Sequence, residues 1–315
     1  MSGELTGGST PQKQYRKWLI LTTIAIVLAV VSIGIGKLSY SWLPPQAAAE
    51  SILIDDLFSF LVTLGAFIFL GVTGTLTYSV IFHRAAKYDM SDGPHIEGNV
   101  MLEVIWTAIP ILLVFWIAGY SYQVYQKMAI KGPMEVVHLH HIQMGMQPAY
   151  AAESIASMGE PTEDIEVIGK QWAWVFRYPE QNVTSTELHL PTNKRIRLAL
   201  KSEDVLHGFY IPAFRLKQDI IPGENINFEF TPIREGTYQL TDSQFSGTYF
   251  ATMIADVVVE SPKNYQEWLA NAATQTPTAA PNQAAAEYAE EQHETIKLGW
   301  PTVKPAQPPV VNYHK

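Results

Sequence analysis

The sequence predicts an α+β membrane protein: a transmembrane helical hairpin plus an extra N-terminal hydrophobic segment, followed by an all-β domain. Three observations carry this. Uncharged runs long enough to cross a bilayer occupy the first 126 residues. Polar and apolar residues alternate with period two between about 165 and 260. Pro191, Pro212, Pro222-Gly223, Pro232 and Gly236 punctuate that region at the short intervals of a β-sandwich or barrel.

The first element is a polar, Gly/Ser/Thr-rich start, Met1 to Gln14, expected to be mobile within a cytoplasmic tail over 1–17. Lys13, Arg16 and Lys17 then precede an uncharged run from Trp18 to Gly36. Two readings stay open for 18–36. A basic flank, an apolar run and Ala47-Ala48-Ala49 fit a signal peptide. The length favours a retained span.

A second run, Leu57 to Phe82, carries no charge, and a third, Val100 to Val124, contains only Glu103 near its start and Pro110 inside. Together they predict a hairpin over 57–126. Runs of this length argue against buried helices of a soluble protein. Lys13, Arg16 and Lys17 before the first span, with Arg84 and Lys87 between the second and third, place those segments in the cytoplasm and the chain beyond 126 outside. Lys127 and Lys131 count against that tally.

Residues 127–163 read as a linker insertion. Within it His138, His140, His141, Met144 and Met146 cluster. These are copper-type ligands, so a weak copper-loading site is one reading, but the stretch reads more readily as a flexible insertion or an interface segment. The β-domain is expected over 164–261. Arg195 to Leu200 and Asn225 to Phe230 alternate as half-buried strands. Trp172, Trp174, Phe176 and Tyr178 fall on one face of a further strand, the wall of a core. Beyond Pro262 a short helix, Tyr265 to Ala273, precedes Ala/Gln/Pro/Glu-rich sequence without apolar period, so 262–315 is expected to be mostly disordered.

The totals exclude some functions. A net charge of -9 argues against nucleic acid, which needs a basic surface. The absence of cysteine excludes disulfides, thiolate metal sites and cysteine nucleophiles together.

Four stretches in order resemble subunit II of haem-copper terminal oxidases: Glu103-Val104-Ile105-Trp106-Thr107-Ala108-Ile109-Pro110, Gln171-Trp172-Ala173-Trp174, Ser202 to Pro212 with Leu206-His207, and Asp219-Ile220-Ile221-Pro222-Gly223. The resemblance covers roughly residues 55 to 260. It implies a cupredoxin-like barrel on the outer face of a membrane, docked on a large haem- and copper-bearing subunit I, with subunit III as a further partner. The membrane is plasma or thylakoid and the barrel periplasmic or lumenal.

In that family a dinuclear copper centre uses a His in the Leu-His stretch, then Cys-x-x-x-Cys-x-x-x-His-x-x-Met. Here His207 matches the first His. In the second stretch Asp242 and Ser246 stand at the cysteine positions, with Gln244 between them. Phe250 stands at the second His and Met253 at the Met. A carboxylate and a hydroxyl do not bridge copper as thiolates do. No metal, no cofactor and no catalytic residue are therefore expected in this chain. The expectation is a subunit that supports oxygen reduction and proton translocation with electrons from a membrane quinol, resembling the cyanobacterial alternative oxidases. A cytochrome c oxidase subunit in the strict sense, and a membrane-anchored cupredoxin-like assembly or binding module, remain alternatives.

By the same resemblance Glu103 sits at the mouth of a proton channel into the large subunit. Its plainer reading is a helix-end carboxylate at the interface. Trp172 corresponds to the electron port of copper-bearing relatives. With no copper behind it, a structural role is expected. Asp242, if buried, needs a donor, and His207 is the expected one.

Overall fold

The computed structural model describes residues 11–84, 88, 98–127, 130–131, 163–293 and 302–314. The start of the segment expected to form a cytoplasmic tail, Lys87, most of the expected linker and its His138–Met146 cluster lie outside these residues. The chain divides into two units, residues 1–43 with 55–114, and residues 44–54 with 115–315.

Among the described residues three helices are long and apolar enough to cross a membrane: α1 (Pro11–Leu38), α2 (Ala49–Phe82) and α3 (Val100–Lys127). Their apolar side chains, among them Val72, Leu76, Leu112 and Phe115, face outward. That arrangement suits lipid or another apolar surface, since a helix satisfies its backbone internally. α1 is packed on α2: Ser59 Oγ donates to the Gly36 carbonyl at 2.8 Å and Tyr40 Oη to Asp56 Oδ1 at 2.6 Å. α3 runs through Pro110 without interruption of its assigned span.

The second unit is built on two sheets. Its strands in chain order are β1 (Ile130–Lys131), β2 (Glu163–Lys170), β3 (Ala173–Tyr178), β4 (Val183–Ser185), β5 (Leu188–Pro191), β6 (Ile196–Ser202), β7 (His207–Ile211), β8 (Leu216–Ile220), β9 (Ile226–Phe230), β10 (Gly236–Asp242) and β11 (Ile254–Glu260). One sheet has the order β1-β9-β6-β2-β3-β4, the other β5-β11-β10-β7-β8. The core lies between them, with Ile165, Val167, Trp174, Phe176, Leu198 and Phe228 from one sheet and Leu188, Phe209, Leu240 and Val257 from the other. The linker expectation is corrected at Ile130–Lys131, which pairs antiparallel with Asn227–Phe228 and extends the first sheet.

Alternation holds in β6, where Ile196, Leu198 and Leu200 are buried. It breaks at Glu229 in β9, which the pattern would turn to solvent. Glu229 is buried because Arg195 Nε lies 2.9 Å from its carboxylate. A buried ion pair of this kind is tolerated only with such geometry. Ala47 and Ala48 are fully buried in the same core. Ala47 N–H donates to the Ala213 carbonyl at 3.0 Å and Ile233 N–H to the Ala47 carbonyl at 2.8 Å. The burial gives Ala47 and Ala48 a packing role.

The expectation of a mostly disordered tail is overturned for 262–293 and 302–314. Helix α4 (Pro262–Ala273) starts with Pro262 in its first turn, and Ser261 Oγ accepts from Asn264 N–H at 3.3 Å. Tyr265, Leu269 and Ala272 of its inner face are buried in the core. Beyond it come β12 (Thr278–Ala279), α5 (Gln283–His293) and β13 (Val310–Val311), with β12 and β13 paired antiparallel. The tail lacks an apolar period because it borrows surface from the barrel. Ala280 and Val311 cover Val175, on the reverse face of β3.

Candidate functional site

The site grows from the start of β7, where His207 is fully buried, and the end of β10, where Asp242 follows. Antiparallel pairing sets Asp242 opposite Phe209, two residues past the histidine. Gly208 lets the loop after β10 close down. A Cβ there would run into Ser243 Oγ and lie 2.8 Å from the Gln244 nitrogen.

Asp242 meets four donors. Oδ1 accepts from Gly208 N–H at 2.7 Å and Gln244 N–H at 3.0 Å. Oδ2 accepts from Ser246 Oγ at 2.7 Å and faces His207 Nδ1 at 2.8 Å. The other imidazole nitrogen, Nε2, faces Asp204 Oδ1 at 2.9 Å. Asp204 in turn accepts from Val205 N–H at 2.7 Å and Gln171 N–H at 2.6 Å. With a carboxylate on each nitrogen, the ring can satisfy both only as a double donor, the imidazolium form.

Electrostatics agree with the geometry. Burial pushes His207 down, but the hydrogen bonds and charges of Asp242 and Asp204 outweigh it and hold the imidazole above its ordinary value of 6.5. Burial pushes Asp242 up, but hydrogen bonds from His207, Gly208, Gln244 and Ser246 outweigh it and hold the carboxyl below 3.8. The raised imidazole contributes stability that is complete below its unfolded value and is lost as pH rises through its folded pKa. The lowered carboxyl contributes stability present above its unfolded value and lost as pH falls through its folded pKa. Hydrogen exchange of residues 204–246 in the purified complex should therefore accelerate as pH is raised beyond 6.5, after correction for intrinsic rates. His207→Gln should remove that slope; a slope unchanged by it contradicts the assignment.

The remaining predicted residues surround this network. Met253 is buried, and its carbonyl accepts from Asp242 N–H at 3.1 Å and from Trp174 Nε1 at 3.1 Å. Phe250 is half-buried and packs on Phe245, which is 77 % exposed. Gln244 contributes its backbone N–H. Ser246 is buried and its carbonyl accepts from Gln171 Nε2 at 2.5 Å. Trp172, 2 % exposed, lies in the turn before β3 and contacts Tyr249 edge-on at 5.1 Å. Gly247 has φ +120°, and a Cβ there would lie 2.7 Å from Trp172 Cζ2, so only glycine fits. His207, Asp242, Gln244, Ser246, Met253 and Trp172 thus share one corner of the barrel. Glu103 belongs to the other unit, on the first turn of α3.

Two groups escaped sequence reasoning. Asp204 is the second carboxylate on His207; its place three residues upstream does not by itself show the contact, which depends on the turn between them. His189, buried, stacks on Trp268 at 3.8 Å and lies 2.7 Å from Glu260 Oε1 and 3.2 Å from Glu187 Oε2. This cluster joins β5 to α4. Among the described residues no three His, Asp or Glu side chains are disposed to hold a metal ion.

A two-sheet cupredoxin-like domain carried on membrane-crossing helices, with its polar corner at the Leu206-His207 strand, defines a class: the membrane-anchored second subunits of haem-copper oxidases. Residues 37–124 match the family described as "Cytochrome C oxidase subunit II, transmembrane domain" and residues 182–261 "Cytochrome C oxidase subunit II, periplasmic domain". "Cytochrome c oxidase subunit 2" of Synechocystis sp. (strain ATCC 27184 / PCC 6803 / Kazusa) is 34 % identical over 308 residues, covering 87 % of this chain and 92 % of that one. "Quinol oxidase subunit 2" of Bacillus subtilis (strain 168) is 26 % identical over 264 residues, covering 82 % and 74 %. Among solved structures, the periplasmic domain of subunit II of cytochrome oxidase (CoxB) of Bradyrhizobium japonicum is 27 % identical with a TM-score of 0.34, covering 36 % of this chain and 94 % of that one. The chain belongs to the cytochrome c oxidase subunit II family. It is an integral membrane protein and a subunit of an oxidoreductase complex.

Proposed function

We propose that this subunit carries no dinuclear copper centre and that the oxidase it serves draws its electrons from a membrane quinol. The observation that carries the reading is the Asp204–His207–Asp242 arrangement. A dinuclear copper centre needs two bridging thiolates and free imidazole nitrogens. The chain has no cysteine. Asp242 and Ser246 occupy the thiolate positions and bond each other, and both nitrogens of His207 face carboxylates. These residues do not fit the copper pair. The histidinium, held between two carboxylates, takes the place of the metal as the cation that ties the corner together.

The haem and copper that reduce oxygen to water then belong to the large subunit, with a third subunit completing the complex and the β-domain on the periplasmic or lumenal side. This chain contributes docking and proton delivery. Glu103, on the cytoplasmic first turn of α3, collects protons and passes them to the large subunit. The relative from Bacillus subtilis described as a quinol oxidase subunit supports this reading. The Synechocystis relative described as a cytochrome c oxidase subunit, with its higher identity, favours the second reading, a cytochrome c-oxidising complex.

Turnover of the purified complex decides between them. Oxygen consumption with a reduced quinol should be sustained, and reduced cytochrome c should support none above background. Oxidation of cytochrome c at the rate of quinol would overturn the proposal. Absence of any haem-bearing large subunit from the purified complex would instead leave an assembly or binding module.

A further inference from the structure

Residues 278–293 and 302–314 have no place in the function described so far, yet they are bonded to the barrel at the Gln171–Trp172 turn, at Thr248 and along β4. Asn282 caps α5: its Oδ1 accepts from Ala285 N–H at 2.8 Å. The same side chain donates from Nδ2 to the Trp172 carbonyl at 3.0 Å. An amide does both, whereas a carboxylate lacks the donor. Ala306 N–H donates to the Gln171 carbonyl at 2.6 Å, and Thr302 Oγ1 to Thr248 Oγ1 at 2.5 Å. Ala284 of α5 is buried in the main core, with Tyr288 packed against it. At the other end Asn312 Oδ1 accepts from Thr184 N–H and Thr184 Oγ1, both at 3.0 Å, and its Nδ2 donates to the Gln275 carbonyl at 2.9 Å. Thr186 N–H reaches the Tyr313 carbonyl at 3.2 Å.

These bonds run from backbone to backbone or through polar side chains. They fasten the segment at Gln171–Trp172, at Thr248 and along β4. Gly247 and Tyr249, from the loop after β10, lie against the Trp172 indole, and the C-terminal segment bonds the backbone of that same turn through Asn282 and Ala306 and the neighbouring Thr248 through Thr302.

We propose that residues 278–293 and 302–314 form a fixed strap that shields the Trp172 corner and keeps a soluble redox protein from docking there. The proposal deepens the quinol reading and rests on it for its purpose, but the strap itself is tested without any electron donor.

The chain has no cysteine, so a reporter pair is free of background. In the assembled complex, Thr248→Cys with Thr302→Cys should form a disulfide under mild oxidation, because the two hydroxyl oxygens already touch and a disulfide needs close Cβ approach. Free alkylation of both thiols would show the strap unseated and overturn the proposal. Hydroxyl-radical footprinting then reads the shielding. Trp172 should be protected in the full-length complex and oxidised several-fold faster when the chain ends at Pro277. Asn282→Asp, which keeps the helix cap and removes the donor, gives a smaller rise and serves if truncation prevents assembly. Trp172 oxidation equal in full-length and altered chains would overturn the shielding. Cytochrome c oxidation by a complex whose strap is seated would contradict the quinol reading and the docking block, while leaving the seated strap itself in place.

Discussion

Asp242→Asn is expected to destabilise the β-domain by about 3–5 kcal/mol, the usual cost of removing one partner of a buried ion pair. The substitution is nearly isosteric, so packing is kept and the effect is electrostatic. Asp242 uses both oxygens as acceptors for four donors. An amide offers one oxygen and one NH2 group. Whichever way it turns, NH2 faces either the Gly208 and Gln244 N–H groups or the His207 and Ser246 donors. His207 would also keep only Asp204 as a counter-charge. The fully buried imidazole would then deprotonate or the corner would open. His207→Gln alone should cost less, because Asp242 retains three donors. The pair His207→Gln with Asp242→Asn removes both charges, and the double-mutant cycle should show coupling between the positions. The measurement is hydrogen exchange of β7 and the 242–246 loop in the complex, with assembled yield as a second readout. Additive effects in the cycle would contradict the lock.

Glu103→Gln is expected to slow oxygen reduction several-fold, more at alkaline pH, while assembly and haem content stay unchanged. The plainer role of this carboxylate is also visible. Asn99 Oδ1 accepts from Leu102 N–H at 3.1 Å as an N-cap, Glu103 N–H donates to the Asn99 carbonyl at 2.9 Å, and an acidic residue in a first turn favours the helix dipole. Loss of that interaction is worth only about 0.3–1 kcal/mol and touches stability, not turnover. The two roles therefore separate. Loss of a proton collector slows the reaction with any electron donor, and more strongly where protons are scarce. Unchanged turnover across pH, with a slightly less stable complex, would leave Glu103 a capping residue.

The membrane spans were legible because length and lack of charge suffice to define them. Period two in Ile196–Leu200 gave the buried face of β6 directly. The positions at which the family resemblance expects copper ligands, occupied by Asp242, Ser246 and Phe250, were readable in the sequence, and the loss of the centre is the proposal made from them. The pairing of Asp242 with His207 followed from the cost of burying a carboxylate. Asp204 was not legible, because its reach to His207 depends on the turn that Ser202 Oγ sets by donating to the Val205 carbonyl at 2.5 Å. The C-terminal segment escaped for a different reason. Ala280, Ala284, Val311 and Tyr313 are too sparse to form a period of their own. They find their apolar partners on strands far away in the chain, and no local pattern records that. Glu229 was misplaced for the same cause: its burial depends on Arg195, a long-range partner.

The most direct test of the central claim is the metal content of the corner itself. Electron paramagnetic resonance of the oxidised complex, with copper quantified against haem, asks whether any copper pair is present beyond the metal of the large subunit. The polar lock predicts no signal from an electron shared between two copper nuclei, no copper in excess of the large subunit's own, and no uptake when copper is added. A shared-electron copper signal that disappears in His207→Gln would contradict it.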